Sequence, residues 1–386
     1  MKAKQFVGAS LLCGTCMLLP MLSIADSDVD DLRKTVDAQQ KAIDNLQRQL
    51  DATTSMIENS APRSMGGADT SIGGYGELHY NNLDSKKELD FTRFVLFFGH
   101  HFSDTIRLYS ELELEHSVAS SDDQDPGEVE LEQAYLDFDL NDHHTARGGV
   151  FLVPVGILNE THEPPTFYGV ERNPVETYII PTTWWEGGGG LNGELAPGWR
   201  YDAAITSGLN VPTTGADAFN IRDGRQQVAE ADAEKLAYTA RLRWTGMAGV
   251  ELSGTVNYQD DVTQGALGVS ATLLEAHAVI NQGPFGMRLL YATWHLDGSA
   301  PKALGRDYQT GWYVEPSYKI TPQVGVFARY NEWDNAAGDS IDSKSTQTNV
   351  GVNYWPHENV VLKADIQQQG GVADDNGFNL GIGYQF

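Results

Sequence analysis

The dominant pattern along the chain is an alternation of apolar with polar or small residues that runs from residue 71 to the end. The last segment shows it most clearly, with apolar side chains at Phe378, Leu380, Ile382, Tyr384 and Phe386. Such a period of two predicts β-strands with one apolar face. The segments are about ten residues long, the length that a tilted strand needs to cross a bilayer. A soluble β-sandwich would alternate too, but its strands are nearer five or six residues, so strand length favours a membrane protein.

The connections between these strands alternate strictly between short and long. Short ones fall at residues 103–105, 141–146, 196–199, 246–249, 282–286, 321–323 and 356–359. Longer polar ones fall at residues 81–88, 117–127, 156–183, 210–235, 260–268, 297–308, 334–345 and 370–376. Tight turns at one end and long loops at the other are typical of outer-membrane barrels. The pattern predicts an all-β fold, a transmembrane antiparallel β-barrel of about 16 strands with an aqueous interior.

Residues 26–59 follow a different period and are predicted to form a short α-helical coiled coil before the barrel. The register positions, spaced alternately by three and four, are Val29, Leu32, Val36, Gln39, Ile43, Leu46, Leu50, Thr53 and Ile57. This spacing is that of a heptad repeat, and its polar positions are compatible with a trimer. A lone amphipathic helix lying on its own domain would show similar spacing. Residues 60–70 are predicted to be a flexible linker, and residues 71–386 the barrel.

Residues 1–25 have the organisation of a secretory signal peptide. Lys2 and Lys4 precede an apolar run, and small residues precede a cut before Asp26. A membrane anchor is the alternative, but Pro20 and the acidic segment that follows weaken it. Both cysteines lie in this segment, so the exported chain lacks a disulfide framework and needs another closed architecture. We expect the outer membrane of a Gram-negative bacterium, with the coiled coil in the periplasm.

The chain is strongly acidic, with a formal net charge of -27, and losing the two signal-peptide lysines brings the mature chain to -29. Nucleic acid is excluded as a partner, because neutralising phosphates needs a basic face. After residue 25 no apolar run reaches the roughly 18 residues of a membrane-spanning helix.

The sequence contains no convincing motif for catalysis or cofactor binding. Gly188, Gly190 and Gly193 have the spacing G-x-G-x-x-G, but the βαβ unit that would give it meaning is missing. Glycines of this kind suit a wall strand that leaves room for a neighbouring loop. His143 and His144 lie in a short turn, which favours ordinary polar residues over a metal pair. The chain is predicted to be no enzyme, with no cofactor and no metal.

Side-chain parity predicts which charges face the barrel interior. In residues 106–116 the alternate leucines face lipid, which turns Arg107, Glu111 and Glu113 inward. The other predicted lumen residues are Arg93, whose strand is apolar on both faces, and Arg241, Arg243, Arg288, Glu315, Arg329 and Asp365. A ring of charges in a water-filled pore sets its ion preference. The alternative is that individual charges pair with each other as struts that stiffen the barrel.

Residues 156–183 form the third long connection, which is proline-rich and unusually long for a loop. We interpret this segment as a loop folded into the pore. The predicted constriction residues are Glu160, His162, Glu163, Glu171, Arg172 and Glu176, and Trp184 and Trp185 would mark the return to the barrel rim. The alternative is a loop that lies flat on the outer surface.

Four barrel segments are similar to strands of a known family: EQAYL at residues 132–136, RGGVFLVPVG at 147–156, YVEPSY at 313–318 and VGVNYW at 350–355. They resemble the phosphate-selective porin O and P type outer-membrane porin family, and the resemblance covers most of residues 71–386. The coiled coil is similar to that of the DcaP-like trimeric branch. The terminal Phe386 resembles the aromatic end that the barrel assembly machinery recognises. The resemblance implies a homotrimer in outer-membrane lipid, with each pore narrowed by its infolded third loop.

The chain departs from that family at several residues of its predicted barrel strands. Val150 and Leu152 stand where polar or basic side chains are usual, and Leu290 stands where an acidic residue is common. In the family, phosphate selectivity depends on basic residues along the path, which a mature charge of -29 does not favour. The family name therefore does not predict the solute.

The leading hypothesis is an outer-membrane porin, a water-filled channel for passive diffusion of small hydrophilic or charged solutes. Arginines on one wall would face acids on the infolded loop and orient the solutes. The alternative is a structural protein whose coiled coil tethers the outer membrane to the cell wall, although residues 26–70 are too short for a wall-binding domain. A barrel hydrolase would need a nucleophile and a base at one rim, and the sequence nominates neither.

Overall fold

The computed structural model describes residues 69–118, 127–340, 342–372 and 374–386. The predicted signal peptide and coiled coil lie outside these residues, and the first strand begins at Asp69, just before the predicted start of the barrel. Within the described ranges, no helix is long and apolar enough to cross a bilayer.

The described residues form sixteen antiparallel strands that close into one barrel, which confirms the predicted architecture. Strands β1 (Asp69–Leu83) and β16 (Gly377–Gln385) pair with each other and complete the ring. The others are β2 Lys87–Ser103, β3 Ile106–Glu115, β4 Val129–Asn141, β5 His144–Leu152, β6 Trp185–Ala196, β7 Trp199–Ser207, β8 Leu236–Met247, β9 Val250–Gln259, β10 Ala271–Gln282, β11 Phe285–Leu296, β12 Tyr308–Thr321, β13 Val324–Asp334, β14 Ser345–His357 and β15 Val360–Gly371. Closure leaves no edge strand, so backbone donors and acceptors pair around the whole ring.

The connections have the alternating lengths that the sequence predicts. Turns of two residues follow β2, β4, β6, β8, β10, β12 and β14 at one end of the barrel. The other end carries the longer connections, of which residues 153–184 and 208–235 are the longest described ones. We call residues 153–184 the inner loop and residues 208–235 the cap loop.

Short helical pieces occur only in these longer connections of the described chain. The inner loop contains a 3₁₀ turn at Pro164–Thr166 and a π-helical turn at Val175–Ile179. The cap loop contains a 3₁₀ turn at Arg222–Gly224, and one α-helix, α1, spans Ser299–Ala303 between β11 and β12.

Side chains on the strands alternate between the outside and the inside of the barrel. On β16, Phe378, Leu380 and Ile382 are exposed on the outer face, while Asn379 is buried inside. On β15, Leu362 and Ile366 are exposed while Lys363 and Asp365 are buried. An apolar outer face and a polar inner face are what a bilayer and a water-filled interior require.

An apolar core lies inside the barrel, between the inner loop, the cap loop and strands β10 to β13. Its members include Val175, Ile179 and Trp184 of the inner loop, Leu209 and Phe219 of the cap loop, and Leu273, Leu290, Trp294 and Tyr313 of the wall. Leu290, which departs from the family pattern, therefore packs in this core. Trp184 directly precedes β6, where the inner loop returns to the wall, and it is fully buried there, with its ring 6.1 Å from that of Trp294. The indole rings pack there because they remove a large apolar area from water.

Two inward-facing glycines give the inner loop the space that it occupies. A Cβ atom on Gly383 of β16 would lie 2.2 Å from Cβ of Pro164. A Cβ atom on Gly325 of β13 would lie 2.3 Å from the hydroxyl oxygen of Tyr168. Side chains at these wall positions would therefore collide with the loop, since such distances are far below van der Waals contact.

We expect Gly383→Val to lower the free energy of unfolding by about 1–3 kcal/mol, because it overpacks the contact between the wall and the loop. Thermal unfolding in detergent would measure the loss. Gly254→Val is the matched control, since the nearest atom to a Cβ at Gly254 is 3.9 Å away. Equal destabilisation by the two substitutions would contradict the close approach of loop and wall.

Candidate functional site

Polar side chains of four wall strands bind the backbone of the inner loop. They are Arg288 and Trp294 on β11, Arg329 on β13, Asn353 on β14 and Asp365 on β15. Asp365, for example, accepts a hydrogen bond of 2.8 Å from the backbone nitrogen of Val170. The wall thereby satisfies loop backbone groups that would otherwise be buried without partners, and it holds the loop across the interior.

Glu176 stabilises the inner loop and does not face open space. Its side chain is fully buried, and its carboxylate accepts hydrogen bonds from the backbone nitrogens of Ile157 (2.7 Å) and Leu158 (2.6 Å) and from the hydroxyl of Tyr313 (2.7 Å). The prediction that Glu176 lines the constriction is therefore corrected. The buried turn at the start of the loop needs an acceptor, and this carboxylate supplies it.

Two cavities lie on opposite sides of the inner loop. The loop-side cavity, about 630 Å³, opens toward the long connections, and its lining includes Lys86, Glu171 and Arg172. The turn-side cavity, about 480 Å³, lies at the two-residue turns, and its lining includes Glu160 and Arg241. The linings have no residue in common, so the inner loop forms the narrow zone between them.

Charges of both signs line the loop-side cavity. Its lining includes Arg172 of the inner loop, Arg222 and Arg225 of the cap loop, and Glu115 and Glu130 on β3 and β4. Hydrogen bonds to oxygen atoms of the inner loop hold all three arginines in place. Arg222 donates 2.6 Å to the carbonyl of Thr177, Arg225 donates 2.7 Å to that of Thr183, and Arg172 donates 2.7 Å to the Thr183 hydroxyl.

Burial changes the acidity of these loop groups. Desolvation, reinforced by the neighbouring Arg225, lowers the pKa of Arg222 to about 10, and burial also lowers the pKa of Arg172 and Arg225. Burial disfavours ionisation of Glu171, but hydrogen bonds from His79 and Asn81 outweigh it and lower its pKa to about 2. Arginine side chains remain protonated at neutral pH, and Glu171 remains ionised, so the cavity carries a permanent field.

A second charge cluster ties the inner loop to the wall at the turn-side cavity. Arg241 on β8 lies in direct contact with Glu160 of the inner loop and 2.8 Å from Asp202 on β7. Arg243 lies 3.6 Å from the same Asp202 oxygen. Glu160 is thus a bridging residue, with its carboxylate at the edge of the cavity.

A third cluster of charged residues is buried between the inner loop and strands β1 to β4. Arg93 contacts Glu77 at 2.6 Å and lies 4.0 Å from Glu113. His162 of the inner loop points at Glu111 and Glu132, with its Nε2 atom 3.6 and 3.7 Å from their oxygens. Four carboxylates, those of Glu77, Glu111, Glu113 and Glu132, are thus buried together with Arg93 and His162.

Sequence reasoning missed Glu132 because a β-bulge breaks the alternation on β4. Glu111 pairs with Gln133 and Leu112 pairs with Leu131, so Glu132 is skipped in the register. Both Glu132 and Gln133 are consequently buried inside, which a strict period of two does not allow. Glu77, on the inward face of β1, was also overlooked, although its parity with Tyr75 carries the signal.

The remaining predicted residues lie in different places. His162 is buried against the wall, and Glu163 is part-exposed but lines neither cavity. Arg107 lies 2.6 Å from Asp139 and likewise lines neither cavity. Glu315 and Arg329 form a buried pair at 3.1 Å, which fits the alternative of charges that stiffen the barrel.

Comparison with known proteins agrees with this architecture. A protein of Aquifex aeolicus (strain VF5), described only as uncharacterized, is 33% identical over 336 residues, which cover 78% of this chain and 75% of that protein. The outer membrane channel DcaP of Acinetobacter baumannii has a similar fold, with a TM-score of 0.58, 17% identity and coverage of 84% of this chain and 99% of that one. An anion-selective porin from Comamonas acidovorans gives a TM-score of 0.60, 12% identity and coverage of 83% and 100%.

The family model described as phosphate-selective porin O and P matches residues 71–368, which is most of the barrel. The closed barrel of sixteen strands and the two cavities on either side of an inner loop are consistent with that match. The chain therefore belongs to the phosphate-selective porin O and P family and is an outer-membrane porin that forms a channel for small solutes.

Proposed function

We propose that each barrel admits small hydrophilic solutes through the loop-side cavity, past the inner loop and out through the turn-side cavity, with a preference for cations. Movement is passive and follows the gradient of the solute. The family and the fold are those of channels and not of enzymes.

The balance of charges in the loop-side cavity carries this proposal. Among the described residues that line it, eight are carboxylates: Glu77, Glu113, Glu115, Glu128, Glu130, Glu132, Glu171 and Asp375. Five are lysine or arginine: Lys86, Arg93, Arg172, Arg222 and Arg225. His79 and His116 also line the cavity and add positive charge when protonated, so the carboxylates outnumber the cationic groups by eight to seven. Excess negative charge at the entrance concentrates cations and repels anions. The proposal separates this chain from the Comamonas acidovorans porin, which is described as anion-selective.

The arrangement of these charges adds a second property. Arginines of the two loops and glutamates of β3 and β4 line the same cavity, so a passing solute meets groups of both signs within it. A solute with a cationic and an anionic group gains energy when each group faces the opposite charge. We propose that dipolar solutes are oriented in this way before they pass the inner loop.

We also propose that three such barrels form a homotrimer, with the coiled coil of residues 26–59 in the periplasm. One similar fold, OmpT of Vibrio cholerae, was solved in a trimer form, with a TM-score of 0.56 and 13% identity. The heptad spacing of residues 26–59 supports the same assembly. The mass of the detergent-solubilised protein would test it, since a monomeric mass for the full mature chain would contradict the trimer.

Reversal potentials in planar bilayers test the preference for cations. With a KCl gradient across the bilayer, we expect a sign that corresponds to higher permeability for K⁺ than for Cl⁻. The triple variant Glu115→Gln, Glu128→Gln, Glu130→Gln should shift the reversal potential toward Cl⁻, because it removes three carboxylates from the loop-side cavity.

Asp142→Asn is the control, since Asp142 lies in the two-residue turn between β4 and β5 and lines neither cavity. It should leave the reversal potential unchanged. Higher permeability for Cl⁻ in the parent protein, or no shift in the triple variant, would overturn the proposed selectivity.

A further inference from the structure

The side chains of Glu111, Glu132 and His162 converge on one buried point between the barrel wall and the inner loop. One potential ligand atom from each lies within 4.8 Å of the other two. All three residues are at least 97% buried. Glu111 lies on β3, Glu132 is the bulged residue of β4 and His162 belongs to the inner loop.

The atoms that converge have no hydrogen-bond partners in the described part of the chain. They are Oε1 of Glu111, Oε2 of Glu132 and Nε2 of His162. The other carboxylate oxygen of Glu111 is already bound by Gln133 at 2.5 Å. Buried carboxylate oxygens without donors are strongly unfavourable, so the arrangement calls for a cation at the point where they meet.

The orientation of His162 presents a lone pair to that point. Its Nδ1 atom lies 3.2 Å from the backbone carbonyl of Asn159, which can only accept a hydrogen bond. Nδ1 must therefore carry the proton, and in the neutral ring Nε2 is the free acceptor. A ring N–H donated to a backbone carbonyl is the usual support of a metal-binding histidine.

The distances fit a metal better than direct hydrogen bonds. Nε2 lies 3.6 Å from Glu111 and 3.7 Å from Glu132, beyond hydrogen-bond range. Nitrogen and oxygen ligands at about 2.1 Å from a tetrahedral metal stand roughly 3.4 Å apart. A small contraction of the cluster would therefore bring the three atoms to ligand distances.

Two other histidines of the barrel interior show what a purely electrostatic arrangement looks like. His277 lies 2.7 Å from Glu275 and 3.3 Å from Glu251, one carboxylate at each ring nitrogen. His79 is placed in the same way between Glu77 and Glu171, at 3.1 Å each. Both nitrogens of these rings have partners, whereas His162 directs one unpartnered nitrogen at two carboxylates.

We propose that Glu111, Glu132 and His162 bind one divalent transition-metal ion of the Zn²⁺, Co²⁺ or Mn²⁺ type, which fastens the start of the inner loop to strands β3 and β4. One imidazole nitrogen and two carboxylate oxygens are a suitable ligand set for such ions. Three protein ligands leave one position of a tetrahedral ion for water. The bound charge would also offset the two carboxylates that the barrel otherwise buries together.

The test uses the full mature protein in detergent, stripped of metal with a chelator and then dialysed against Co²⁺. We expect one Co²⁺ per chain by elemental analysis, with the visible absorption bands of a four- or five-coordinate ion. His162→Gln and Glu132→Gln should each weaken Co²⁺ binding by at least about tenfold, the size of effect seen even for residues one step removed from a metal.

His277→Gln is the matched control, because it removes a buried histidine that also lies between two carboxylates. It should bind Co²⁺ as the parent does, and Co²⁺ should raise the thermal unfolding temperature of parent and control but not of His162→Gln. If His162→Gln fails to fold, Glu132→Gln provides the same comparison.

Absence of stoichiometric Co²⁺ in the parent protein would overturn the site. So would undiminished Co²⁺ binding in His162→Gln and Glu132→Gln, since it would mean that Co²⁺ binds loosely to the many acidic residues of the chain. Both outcomes are read from Co²⁺ binding and not from conductance, so the metal site and the proposed selectivity are tested separately, although Glu132 also lines the loop-side cavity.

Discussion

Replacing Glu176 by alanine should release the inner loop and raise the single-channel conductance severalfold. The carboxylate accepts hydrogen bonds from Ile157, Leu158 and Tyr313 inside a fully buried pocket. Its removal leaves these donors without an acceptor, at a cost of about 1–3 kcal/mol for each buried group. A loop that loses this support no longer narrows the passage between the two cavities.

Planar-bilayer recordings of Glu176→Ala measure the change. Glu163→Ala is the control, because Glu163 belongs to the same loop but its part-exposed carboxylate is not in that pocket. The control should keep the parent conductance. If Glu176→Ala conducts as the parent does while the barrel remains folded, then Glu176 does not hold the inner loop in place.

The second large effect is expected for Trp294→Ala. Trp294 on β11 is fully buried, its indole nitrogen donates 2.9 Å to the carbonyl of Ile179, and its ring packs against Trp184. Truncation of a buried tryptophan leaves a cavity and costs about 3–5 kcal/mol of unfolding free energy. Here it would also detach the apolar side of the inner loop from the wall, so stability and the constriction should change together.

Trp312→Ala on the adjacent strand β12 is the matched control. Trp312 is 38% exposed on the outer face of the barrel, and its substitution removes no contact with the inner loop. Heat-induced unfolding in detergent, followed on gels, compares the two variants. The apolar core inside the barrel would be unimportant if both substitutions lowered the unfolding temperature equally.

Glu176→Ala and Trp294→Ala both remove contacts that hold the inner loop in place. The apolar core takes up the interior next to β10 to β13, and the cluster that contains Glu77, Arg93 and Glu113 lies along β1 to β3. The inner loop separates these regions, with Val175 and Ile179 facing the core and Arg172 facing the loop-side cavity. Burial of the apolar face gives the loop its stability, and the polar face is left to contact the solute.

Several features of the inner loop follow from the sequence once the barrel is known. Its length, its prolines and its place as the third long connection predict a loop inside the pore, and Glu160, Glu171 and Arg172 do line cavities in the structure. Glu176 and His162 were grouped with them because charge is the only signal that a sequence offers. Whether a charged side chain faces water, a buried turn or a pair of carboxylates depends on partners far away in the chain.

The sequence by itself determined the barrel, the approximate number of strands and, where the alternation is regular, the side of a strand that faces lipid. These properties arise from local rules, namely a period of two, strand length and turn length, and each can be read within about ten residues. Only the tertiary structure decided the partners of the interior charges. Tyr313 meets Glu176 and Asp365 meets Val170 because the closed ring brings distant strands around one loop. Glu132 lies next to Glu111 and His162 because a bulge in the pairing of β3 with β4 turns the Glu132 side chain inward. The bulge is a property of the strand pairing, which the sequence of β4 alone does not show.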